Sequence, residues 1–182
     1  MTTFIAGPFY LTYVLGYSEG AVGRVMAIGP VISILSGFPS GMLVDRIGAN
    51  RVTQLGLGFV FFGALAFVFL PAIWALTGYV TALIVLTPGY QLFLSANNTA
   101  VMSDVADCHR GFVSGLLNMS RNAGLIVGAT AIAAVFTNGA GTSILANATA
   151  ESIGAAFQLV FLINAGLIVV AFMALRIGNA KR

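Results

Sequence analysis

Gly41-Met42-Leu43-Val44-Asp45-Arg46-Ile47-Gly48-Ala49-Asn50-Arg51 sets an acid and two arginines within eleven residues, between two long apolar runs. Only 7% of the chain is charged, so this is a concentrated use of charge. An unpaired ion in hydrocarbon costs several kcal/mol. If the flanking runs cross a membrane, the cluster has to sit at a water interface. It reads as a tight loop between two spans and as a marker of their orientation.

The rest of the composition agrees with a membrane chain. Of 182 residues, 59% are hydrophobic, whereas a soluble domain is usually near half apolar and a quarter charged. The net charge of +3 is small and scattered, which excludes the basic stripe that nucleic-acid binding needs. Cys108 is the single cysteine and His109 the single histidine. No intrachain disulfide, zinc site, Ser–His–Asp triad or Cys–His pair can be assembled from that inventory. The residues call for no cofactor and no enzyme. The N-terminal Met1-Thr2-Thr3 lacks the basic region and small-residue cleavage site of a signal peptide.

A span needs about 20 apolar residues to cross roughly 30 Å of hydrocarbon. Working outward from the charged cluster, six segments answer to this: 2–17, 20–44, 52–70, 74–102, 111–136 and 153–177. Backbone groups in lipid must be satisfied within the segment, so these are helices, and their unbroken apolar runs exclude the alternating strands of a barrel. The expected fold is an all-α membrane protein with one six-helix domain over 1–182. Segment 2–17 reaches only about 24 Å at 1.5 Å per residue and carries Pro8 at its middle. It reads as a truncated first helix; a short interfacial helix is the alternative.

Arg46, Arg51, Arg110, Arg176, Lys181 and Arg182 would all fall on one side of such a bundle. The positive-inside rule then makes both termini cytoplasmic, in a multi-pass protein of the cell membrane. The connection 137–152 becomes an external loop, and its Asn147-Ala148-Thr149 matches a glycosylation acceptor.

Three groups of residues carry further signal. Gly37/Gly41, Gly111/Gly115 and Gly124/Gly128 have the small-xxx-small spacing that lets membrane helices approach closely. In the fourth segment, Pro88-Gly89 marks a helix break, followed by Tyr90, Gln91, Ser95, Asn97 and Asn98. Gln91, Ser95 and Asn98 share one face, read either as a wall of a water-accessible cavity or as interhelical hydrogen bonding. In the fifth segment, Ser114, Asn118, Arg121 and Asn122 form one polar stripe. Arg121 lies deep enough to need a partner, water or a snorkelling path, and is the leading functional candidate. Glu19, Asp45, Asp104, Asp107 and Glu151 all lie in or beside loops, so no membrane-centre carboxylate is available as a proton relay.

Gly41-x-Leu43-x-Asp45-Arg46-x-Gly48-x-x-Arg51 resembles the loop signature of the major facilitator superfamily, found between the second and third helices of each six-helix half. The stretches from Gly89 to Met102 and from Arg110 to Gly124 resemble its drug:proton antiporters of the multidrug-resistance branch. The likeness covers nearly the whole chain and implies one half of the 3+3 inverted-repeat fold. The N-terminal half of such antiporters carries an arginine in its fourth helix and a Gly-Pro-x-x-Gly-Gly element in its fifth. Neither is present in the corresponding segments, so the resemblance points to the C-terminal half.

It implies proton-coupled efflux of small lipophilic or cationic compounds, with Gln91, Asn97, Asn98, Asn118, Arg121 and Asn122 facing the substrate. Asp45 would contact a helix of the missing N-terminal half, with Arg46 and Arg51 completing a gating charge network. The implied partners are the lipid bilayer, that other half and a small-molecule substrate. The competing readings are a truncated bundle with an inactive, structural or regulatory role, and a half-transporter acting as a homodimer.

Overall fold

The computed structural model describes residues 2–103, 105–139 and 149–180. Asp104, most of the expected external loop with its Asn147-Ala148 acceptor, and Lys181 and Arg182 lie outside them. The described elements are helical: α1 (Thr2–Phe9), a π-helical turn (Tyr10–Val14), α2 (Glu19–Ile47), α3 (Ala49–Met102), a 3-10 turn (Asp107–His109), α4 (Arg110–Gly139) and α5 (Ala150–Ala180). Four helices, within Glu19–Ile47, Ala49–Met102, Asp107–Asn138 and Ala150–Arg176, are long and apolar enough to cross a membrane.

The charged cluster is even tighter than a loop. Asp45 and Arg46 belong to the last turn of α2, and Arg51 to the first turn of α3. Gly48 alone makes the turn, at φ 85°, with its N–H donating to the Val44 carbonyl at 2.9 Å. Only glycine adopts that backbone without steric cost. The helices therefore run about a turn past their apolar stretches, because backbone hydrogen bonding continues until a residue such as Gly48 stops it.

α3 holds 54 residues and would extend about 81 Å if straight. It instead folds back at Trp74 (φ −118°, ψ 18°) and Ala75 (φ 44°, ψ −119°), giving two antiparallel limbs, 49–73 and 76–102. Glycines bring the limbs into backbone contact. A Cβ at Gly56 would stand 2.5 Å from the Phe93 nitrogen, and one at Gly63 would stand 2.6 Å from the Leu86 Cα. A Cβ at Gly89 would stand 2.5 Å from that of Phe59.

Two sequence expectations are corrected here. The helix does not break at Pro88-Gly89; its only non-helical residues are Trp74 and Ala75. Proline removes one donor, but the surrounding turns continue and Gly89 serves close packing instead. The small-xxx-small pairs Gly37/Gly41, Gly111/Gly115 and Gly124/Gly128 make no close contact among the described residues: a Cβ at any of them meets none of their atoms within 4 Å.

The main core lies toward the α3 bend, remote from the charged cluster. Phe67 stacks on Phe161 at 4.5 Å between ring centroids, and Tyr10 on Phe157 at 4.3 Å. Tyr79 is fully buried, its ring edge-on to Phe67 and its hydroxyl lying against Gly7 of α1, where a Cβ would collide. α5 is tied in by polar bonds as well: Gln158 Nε2 donates to the Val68 carbonyl at 3.1 Å, and Asn164 Nδ2 to Thr2 Oγ1 at 3.3 Å. At the charged end, among the described residues, the buried hydrophobic cluster is small, Val44, Val52 and Ala96, with Ser40 and Thr53 buried beside it. α4 contributes a single buried side chain, Phe136, among the described residues, and Phe112, Met119, Ile126 and Val127 project outward. Apolar faces of that extent are stable against lipid or another protein, not water.

Candidate functional site

The second limb of α3 and α4 are joined at the charged end through residues 103–109. Between them lies an open cavity of about 410 Å³, within the range of small-molecule sites. Tyr90, Phe93, Leu94, Asn97, Asn98 and Met102 line it from α3, and Ser114, Leu117, Asn118, Ser120 and Arg121 from α4. Of the residues expected there, Asn97, Asn98, Asn118 and Arg121 are brought together. Asn122 is not part of the lining.

Gln91 turns elsewhere. Its Nε2 donates to the Ser33 carbonyl at 3.1 Å and to the Ser33 hydroxyl, tying α3 to α2. Between the two readings the sequence left open, Gln91 takes the interhelical bond and the two asparagines take the cavity. Tyr90, one of the polar groups that follow Pro88-Gly89, joins the lining, and Phe93 was not anticipated. Its signal was the spacing of Tyr90, Phe93 and Asn97, which share a face at i, i+3 and i+7, but a phenylalanine in an apolar helix does not stand out.

The chemistry of the cavity follows from its lining. Three asparagine amides and two serine hydroxyls offer both donors and acceptors, and Arg121 offers donors with a fixed positive charge. Arg121 lies eleven residues after Arg110, about 16 Å along α4. It is exposed to the cavity side and forms no ion pair among the described residues. Tyr90 and Phe93 add flat apolar surface. Among the described residues no acid, histidine or cysteine lines the space, and no metal-binding cluster occurs.

At the turn, Asp45, Arg46 and Arg51 are all exposed, and Gly41 faces open space. Among the described residues the ion pair formed is Arg110–Asp107, at 3.2 Å on the surface. The gating network expected of Asp45, Arg46 and Arg51 is therefore not closed among these residues.

Long apolar helices around a polar, open cavity define a polytopic integral membrane protein. Residues 1–129 match the family model of the Major Facilitator Superfamily. The chain belongs to that family, whose members are membrane transporters rather than enzymes. It is 30% identical over 159 residues to the "Uncharacterized transporter YebQ" of Escherichia coli (strain K12), covering 85% of this chain and 35% of that relative. It is 26% identical over 129 residues to the "Riboflavin transporter RibZ" of Clostridioides difficile (strain 630), covering 71% of this chain and 28% of that protein. The chain thus spans about a third of the length of these curated relatives. No solved structure matches it.

Proposed function

We propose that this chain forms the C-terminal six-helix half of a secondary transporter, and that the α3–α4 cavity is its share of the substrate path. The observation that carries this reading is the convergence of Asn97, Asn98, Asn118 and Arg121 on one cavity in an otherwise apolar bundle. Counting α1 and both limbs of α3 as spans gives the six helices of a 3+3 repeat. The partner is an N-terminal half, set against the uncovered faces of α2 and α4, where Gly37/Gly41 and Gly111/Gly115 leave room for close helix approach. The intact machine would rock two halves around a midplane site, with both termini in the cytoplasm.

By family likeness the activity is proton-coupled efflux of lipophilic or cationic compounds, the protonated carboxylate being supplied by the other half. The cavity itself favours a second substrate class. Arg121, the one charged lining residue among the described residues, is positive and repels cations in a low-dielectric setting. Amides and aromatic faces suit a planar, hydrogen-bonding compound that is neutral or anionic. The name of the Clostridioides difficile relative is consistent with that chemistry.

The test is Arg121→Ala in the intact two-half transporter, assayed with both a lipophilic cationic dye and riboflavin. Reduced transport at normal membrane abundance supports the site. Selective loss of flavin transport favours the second substrate class, and unchanged transport of both refutes the assignment.

A further inference from the structure

A second groove lies between the first limb of α3 and α5, and it shares no lining residue with the polar cavity. It has a volume of about 250 Å³ and is walled by Gly58, Phe61, Ile168, Val169, Phe172 and Met173. Among the described residues no polar side chain lines it, so they offer nothing to a hydrogen-bonding solute. Gly58 keeps it open, since a Cβ there meets no atom within 4 Å.

Both walls carry an arginine toward the charged end. Arg51 precedes Gly58 by seven residues on α3, and Arg176 follows Val169 by seven on α5. Seven residues return a helix to within about 20° of the same face and advance it by about 10 Å. The helices are antiparallel across the groove, so both arginines stand on its face at a similar level. Arg176 is already turned over the wall, its guanidinium 5.4 Å from the centroid of Phe172. Neither arginine has an acidic partner among the described residues. From Arg51 to Phe61 the face runs about 15 Å, the depth of one leaflet of a bilayer with a hydrocarbon core of about 30 Å.

We propose that this groove holds an anionic glycerophospholipid, with an acyl chain against Gly58 and Phe61 and the phosphate between Arg51 and Arg176. Basic sites between membrane helices at the headgroup level are suited to anionic lipids, and each arginine there contributes roughly a fivefold gain in affinity. The inference needs only that the helices span a bilayer and does not depend on the substrate cavity.

The experiment is native mass spectrometry of the protein in neutral detergent, titrated with mixed micelles of phosphatidylglycerol or phosphatidylcholine. Phosphatidylglycerol should be retained preferentially, and excess inorganic phosphate should not displace it. Arg51→Gln and Arg176→Gln should each weaken retention roughly fivefold, and the pair about thirtyfold. Arg110→Gln, which changes an arginine of α4, should leave it unaltered. Gly58→Leu adds a side chain into open space and should remove the adduct even if the arginine pair variant fails to fold. Equal retention of the two lipids overturns the proposal. So does an effect of Arg110→Gln matching the pair, or an undiminished adduct in Gly58→Leu.

Discussion

Replacing Gly63 by alanine tests whether the two limbs of α3 are held in backbone contact. The added Cβ would sit 2.6 Å from the Leu86 Cα and 2.8 Å from its nitrogen. Carbon atoms pack at about 3.5–4.0 Å, so the limbs must part by about 1 Å along a contact that Gly56 and Gly89 also maintain. Overpacking of this kind costs typically 1–3 kcal/mol. Alanine also improves helix propensity over glycine by up to about 1 kcal/mol, which would mask part of the loss.

Gly58→Ala is the matched control: it lies on the same limb and gains the same propensity, but its Cβ meets open space. The difference between the variants should be about 2 kcal/mol. For a chain of this size that corresponds to roughly 4–8 °C in Tm, read by thermal denaturation in detergent. If Gly63→Ala melts with or above Gly58→Ala, the limbs are not in contact at Gly63 and the hairpin reasoning fails.

Gln91→Leu removes the bond to Ser33 and should destabilise the bundle by about 0.6–1.7 kcal/mol; melting unchanged within error would mean that the α2–α3 bond carries no net stability. Cys108 is the chain's single cysteine and is exposed. With both termini inside, an impermeant maleimide should label it in inverted membrane vesicles and not in intact cells, and the reverse pattern would invert the proposed orientation. In the intact transporter, Asp45→Asn should shift the accessibility of engineered cysteines at the arginine-bearing mouth. Identical labelling would show that Asp45 only solvates the turn.

Much of the architecture was legible because hydrocarbon imposes simple demands. Apolar length located the membrane helices, and the scarcity of charge made Asp45, Arg46 and Arg51 legible as a helix boundary. The sequence marked a tight loop there, and the structure narrowed it to a one-residue turn at Gly48. The polar residues of α4 were legible for the same reason: Asn118 and Arg121 share a face by spacing alone, and a charge that deep in an apolar helix has to meet something polar.

Contacts between helices were less legible. A helix that is apolar all round has no hydrophobic stripe to show which face meets a neighbour. Gln91 and Asn98 share a helical face, yet one bonds Ser33 and the other lines the cavity. The spaced glycines of α2 and α4 resembled packing motifs and Gly56 and Gly63 did not, yet it is Gly56 and Gly63 that face another limb at contact distance.

The sequence by itself determined the solvent of this protein, its all-helical character and the turn at Gly41–Arg51, because burial of backbone and charge in lipid is a local constraint. The tertiary structure alone decided that the reversal is made at Trp74–Ala75 without an intervening loop, which glycines carry contacts, and that Gln91 bonds Ser33 while Asn98 lines the cavity. Those outcomes depend on which surfaces meet, and residues far apart in the chain settle that jointly.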